Sequence, residues 1–193
     1  LHHISRSLVL GKAALDSQNW RFCLLHKLPL IRAPSENSSL LVLVEYLLQL
    51  DQQLLEELMN KLLAIWSKRS SLQKLSFKEH LSLSKLLVLS ARALFLQTQW
   101  SKQNNDLDFR QQMHEGLRRH LESSDNLQRM IGMKTVELIF KCWETEETPQ
   151  DSCLRFEYPE LSKLDKAGVL KEMDELELMQ MSKVTPQNPV DLT

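Results

Sequence analysis

The sequence predicts an all-α protein, an α-solenoid built as a row of antiparallel helical hairpins, and three observations carry that prediction. Leucine makes up roughly a fifth of the 193 residues, far above ordinary usage. Only four glycines interrupt the chain. Apolar residues recur at helical spacing through most of it.

The elements follow in order. Residues 1–15 and 17–28 read as two helical segments, the second ended by Pro29, whose ring cannot continue an α-helix and whose missing N–H leaves a bond unmade. "LPLIRAPSENSS" is then a connector, and residues 39–50 form a nearly all-apolar helix. Asp51 caps the next helix, in which Leu55, Leu58, Leu62 and Ile65 repeat on one face while Glu57 and Lys61 form an i,i+4 pair on the other. Ser76 followed by Glu79 is a capping box opening a helix with the apolar stripe Leu83, Leu86, Leu87, Ala91 and Leu94.

After the polar break "QTQWSKQNNDLD", residues 107–121 make a charged helix and residues 126–143 an apolar one. Beyond Thr145 come an acidic connector, a short β-like run from Leu154 to Tyr158, a charged helix from Lys166 to Met181 and a tail from Ser182 expected to be disordered. The domain reading is therefore a helical-repeat segment at 1–145, a connector with an extended run and a helix at 146–181, and the start of a linker at 182–193. The chain begins without methionine and ends in "TPQNPVDLT", which suggests a piece of a longer protein.

Composition restricts the function classes. With 24 basic and 25 acidic residues the net charge is −1, so no large basic field draws nucleic acid or an anionic membrane. Three cysteines at wide spacing, Cys23, Cys142 and Cys153, fit neither a disulfide framework nor a zinc site and point to a reducing compartment, cytosolic or nuclear. The longest apolar stretch, "SLLVLVEYLLQL", is broken by Glu45 and falls short of a membrane span.

The segment "LESSDNLQRMIGMKTVELIF" poses the sharpest question, because Gly132 lies inside an apolar helix where glycine costs about 1 kcal/mol relative to alanine. Asp125 suits the N-cap, Gln128 sits where its side chain reaches back, and Asp125 and Arg129 are four apart on one side. Lys134, Glu137 and Lys141 form a narrow polar stripe, and apolar residues cover the remaining circumference, so neighbours must pack on several sides. Gly132 then serves close backbone approach, or else is a tolerated irregularity. An acidic residue, a basic residue four later and a small residue three after that, here Asp125, Arg129 and Gly132, resembles the second helix of a HEAT repeat; no second copy sets a period.

Enzyme chemistry needs a constellation, and none is visible. The six histidines are scattered; His114 and His120 are six apart, out of metal-ligand register, and read as surface residues. Cys142, inside an apolar helix, reads as a buried inert thiol. Gly11, Gly116, Gly132 and Gly168 stand alone, so no phosphate loop is formed, and Glu144, Glu146 and Glu147 beside Asp151 read as a solvated loop. No metal and no cofactor is expected.

"LLEELMNKLLAIW", "HLSLSKLLVLSARAL" and "MHEGLRRHLESSDNLQRMIGMKTVELIF", followed by "LRFEY", together resemble the telomere length regulation (Tel-two or Clk-two) family, over about residues 50 to 160. The resemblance implies a HEAT-like α-solenoid arm with no chemistry of its own. It implies a scaffold that joins two other helical-repeat subunits in the TTT co-chaperone complex, binds phosphatidylinositol-3-kinase-related kinases and delivers them to the heat-shock protein 90 machinery. Cytoplasmic and nuclear location, with telomere association, would follow.

The family's acidic serine motif, phosphorylated by casein kinase two, has no counterpart up to Thr193; Thr148, with Asp151 three positions on, meets only a minimal acidic-kinase pattern weakened by Pro149. The alternative is a telomere-associated nucleic-acid binder. It would rest on two basic clusters, Arg118, Arg119 and His120, and Lys68, Arg69 and Lys74, each too small to neutralise the phosphates of a DNA footprint unless they act together.

Overall fold

A computed structural model describes residues 17–31, 34, 36–97, 106–142, 154–158 and 167–181. The expected helix at 1–15, Thr148, the acidic cluster around Glu146, Cys153 and the tail from Ser182 lie outside the described residues. Within them the protein is all-helical.

The first helix is α1 (Gln18–Phe22), which runs on into a π-helical stretch, Cys23–Ile31. Pro29 was expected to end this segment, yet it lies inside the helix and is buried. The wider i→i+5 turn of a π-helix moves the carbonyl that a proline ring would otherwise strike, so the chain continues without a break. The connector is correspondingly short, and α2 (Asn37–Leu50) starts two residues before the sequence suggested.

Asp51 alone joins α2 to α3 (Gln52–Trp66). Its extended backbone, φ −165° and ψ 126°, breaks the helix. Its N–H reaches Leu47 O at 3.0 Å and its carboxylate accepts from Gln53 N at 2.9 Å, so one residue closes one helix and opens the next. Leu55, Leu58 and Leu62 are buried on the expected face, and Lys61 Nζ lies 2.6 Å from Glu57.

A four-residue helix, α4 (Arg69–Leu72), leads to α5 (Phe77–Gln97). The capping box forms as expected: Ser76 N donates to Glu79 Oε2 at 2.8 Å and Glu79 N to Ser76 Oγ at 3.4 Å. The hydrogen bonds from the Ser76 hydroxyl and N–H hold the Glu79 carboxyl below its usual range. α5 is the axis of the molecule, with α2, α3, α7 (Asn126–Lys141) and α8 (Ala167–Leu178) all packed on it. That explains why burial extends beyond the expected stripe to Leu81, Val88, Leu89, Ala93 and Phe95.

α6 (Asp106–Leu121) lies on α3 and α7, with Phe109 and Met113 turned into the core. α7 is enclosed as its apolar circumference required, with Met130, Ile131, Val136, Leu138 and Ile139 buried. Its polar stripe is no solvated edge, however: Lys134 is buried between Glu137 and Asp174 of α8. The run Leu154–Tyr158 forms no strand, since no partner strand exists among the described residues; Tyr158 Oη instead donates to Glu137 at 2.9 Å. No helix among the described residues is long and apolar enough to cross a membrane.

Candidate functional site

Three rings from three helices meet where α3, α5, α6 and α7 converge. Trp66 ends α3, His80 lies one turn into α5, and His120 lies in the last turn of α6. The Trp66 and His120 rings stack at 4.2 Å and 28°, and the His80 and His120 rings at 5.0 Å and 24°. His120 is 0% exposed and His80 3%, so the expectation that the histidines lie on the surface fails for these two. The missed signal was spacing: Phe109, Met113, Gly116 and His120 follow one another by four, three and four, which puts His120 on the apolar face of α6.

The hydrogen bonds fix the protons. His120 Nδ1 is 2.7 Å from Gly116 O, and a carbonyl only accepts, so Nδ1 carries hydrogen. In the neutral ring Nε2 is then an acceptor, and His80 Nε2, 2.9 Å away, must donate to it. Burial depresses the His80 pKa to about 3, with the charge of His120 adding to it. Burial also lowers His120 to about 4, against the opposing pull of the Gly116 carbonyl. Both rings are neutral near pH 7.

Two glycines admit these rings. A Cβ on Gly132 would lie 2.4 Å from Cβ and Cγ of His120, and one on Gly116 would lie 2.2 Å from Trp66 Cζ3. Gly132 is therefore a close-approach glycine, and the body it admits is an imidazole. Its neighbours depart from the expected pairing. Asp125 caps α7 through Leu127 N at 2.8 Å, but Arg129 turns to Ser123 O at 2.9 Å and to the Asn126 side chain instead of to Asp125. Gln128 reaches the Ser123 hydroxyl and Leu72 O in place of the cap backbone.

Above the rings opens a cleft of about 570 Å³, bordered by Arg69, Leu72, Phe77, His80, Arg119 and Gln128. The two basic clusters of the sequence do converge nearby, where Lys68, Arg69 and Arg119 share a shallow surface with Glu115. The charge of one of them is offset: Arg118 and Arg119 both lie within 4.0 Å of carboxylates of Glu115 and Glu122. His120, counted in that cluster from the sequence, is stacked in the interior instead.

No three metal-ligating side chains are grouped among the described residues. Cys142 is half-buried, with Sγ 3.4 Å from Leu138 O, so the fully buried thiol expected from sequence is corrected to one bordering a small cavity beside Arg92 and Lys141. What the joint does chemically is lock four helices through neutral stacked rings. Compared with protein-family models, curated proteins and solved structures, the chain matches none.

Proposed function

We propose that this chain is a non-enzymatic helical scaffold, a HEAT-like segment of a telomere length regulation protein acting in the TTT co-chaperone complex. The observation that carries this reading is the use made of "HLESSDNLQRMIGM", the stretch with the most specific resemblance. His120 stacks in the interior, Ser123 and Asp125 serve the cap of α7, Arg129 ties the α6–α7 turn, and Gly132 receives the His120 ring. Every distinctive side chain there is engaged in holding helices together. The hairpins α2–α3 and α6–α7, packed through α5, are the units a helical-repeat arm would stack.

In this reading the partners are two other helical-repeat subunits, phosphatidylinositol-3-kinase-related kinases and, through a linker motif absent from this chain, the heat-shock protein 90 machinery. Affinity purification of the protein from cells at moderate salt, with mass spectrometry of what accompanies it, tests this. Kinases of that class together with helical-repeat and chaperone subunits are the expected result, and their absence overturns the reading. The convergence of Lys68, Arg69 and Arg119 favours nucleic acid as a second reading; its mark would be affinity for duplex DNA that falls steeply with salt.

A further inference from the structure

α8 is held both by apolar burial and by charge. Its buried apolar anchors are Met173 and Leu176, one turn apart. Around them its carboxylates meet a row of cations: Glu172 lies 2.6 Å from Lys85 Nζ of α5, Asp174 lies 2.7 Å from Lys134 Nζ of α7, and Glu177 pairs with Lys141. The Arg92 guanidinium of α5 caps the far end by donating to Leu176 O and, at 3.0 Å, to Met179 O. A cation at a helix C-terminus matches both the free carbonyls and the dipole. Midway along α8, Asn37 Nδ2 of α2 donates to Glu172 O at 2.9 Å.

The two sides of this contact are unequal. The Lys85 side chain is 3% exposed and that of Lys134 10%, whereas Glu172 and Asp174 are 51% and 54% exposed. The cations are built into the groove and the carboxylates lie over it from solvent. Burial works against the charge on Lys134, and hydrogen bonds to Asp174 and Glu137 more than offset it, so its ammonium is held above the usual lysine value. A groove that keeps a sunken ammonium such as that of Lys85 selects a negative ligand, because leaving such a charge unpaired is costly; Lys134 has Glu137 of its own helix beside it as well. An occupant whose own charges stay half in water gains little from them, and that gain is screened by salt.

We propose that the groove formed by α2, α5 and α7 is a docking site for acidic amphipathic helices, with α8 as its resident, displaceable occupant and an acidic helix of a partner protein as the ligand that replaces it. The pattern read is acidic, apolar, acidic, any residue, apolar, acidic, as in Glu172 to Glu177. The proposal stands on these contacts alone and is independent of the co-chaperone reading.

The test uses the full chain. Hydrogen exchange of the wild type should show α8 amides exchanging faster than those of α5 and α7, and faster still at high salt. A chain carrying Glu172→Lys, Asp174→Lys and Glu177→Lys should free the groove and capture a labelled peptide of residues 165–181 at least tenfold more tightly than the wild type, with capture lost when Lys85→Glu is added. Exchange of α8 in step with α5 and α7 overturns the proposal, and so does a folded variant that fails to take the peptide. Concentration-dependent dimers with α8 traded between copies would overturn the assignment to a partner in favour of a second copy of this chain. If the charge-reversed variant does not fold, exchange in the wild type decides alone.

Discussion

A methyl group on Gly132 would meet Cβ and Cγ of His120 at 2.4 Å, and those atoms are fixed to the backbone of α6 with little room to turn away. Gly132→Ala should therefore force α6 and α7 apart and cost about 1–3 kcal/mol, and Gly132→Leu more, read as a lower melting temperature. A Gly132→Ala protein as stable as the parent would show that the contact relaxes freely. The His80–His120 pair gives a second expectation at this scale. Their folded pKa values, about 3 and about 4, lie below the ordinary 6.5, so the unfolded state binds more protons in acid. The stability owed to the neutral pair is complete above pH 6.5 and is lost as pH falls towards 4, with a slope of at most about 1.4 kcal/mol per pH unit for each ring. Arg69, Arg119, Glu122 and Asp125 face the same cleft. Denaturant titrations at pH 7, 6 and 5 should show the slope in the wild type and a shallower one in His120→Phe, which keeps a ring against Trp66; equal slopes would remove the pair as its source.

Among the elements, α3 depends on a single residue for its start. Asp51→Ala removes the acceptor for Gln53 N and should cost about 1 kcal/mol, while Asp51→Asn, which keeps an acceptor oxygen, should cost much less. This cap was legible in the sequence, as were the capping box at Ser76 and Glu79, because caps are local and their signals lie within four residues. The helices α2, α3, α5, α6 and α7 were legible for the same reason. The π-helix was not, because a proline inside an apolar run reads as a stop unless the widened turn is known in advance. The ring stack escaped as well. Trp66, His80 and His120 lie far apart in the chain, and only the packing of α3, α5 and α6 brings them together. Spacing could place His120 on a buried face; it could not say what would cover it.

For the whole molecule, the decisive contact is the one between α8 and the rest. Taking Glu172 away leaves the Lys85 ammonium sunken and deprived of its nearest carboxylate, whereas replacing Lys85 by a similar apolar chain leaves a carboxylate that water already reaches. Glu172→Ala should thus destabilise the protein by about 2 kcal/mol more than Lys85→Met, measured by chemical denaturation. Equal costs would mean that the ammonium is solvated despite its burial. Neither this pairing nor the covering of the α7 polar stripe could be seen from sequence, where Lys134, Glu137 and Lys141 look like any solvated stripe. What the chain displays as surface in one helix is completed by a helix some forty residues later.

Trp66, fully buried and stacked on a neutral imidazole, has an optical consequence. Indole emission in so dry a setting is shifted to short wavelength, and a protonated imidazole in ring contact quenches it by accepting an electron from the excited state. In a background with Trp20, Trp100 and Trp143 changed to phenylalanine, the protein would report by its own fluorescence when the joint between α3 and α6 takes up a proton or comes apart: loss of intensity without a red shift marks the first event, and a red shift marks the second.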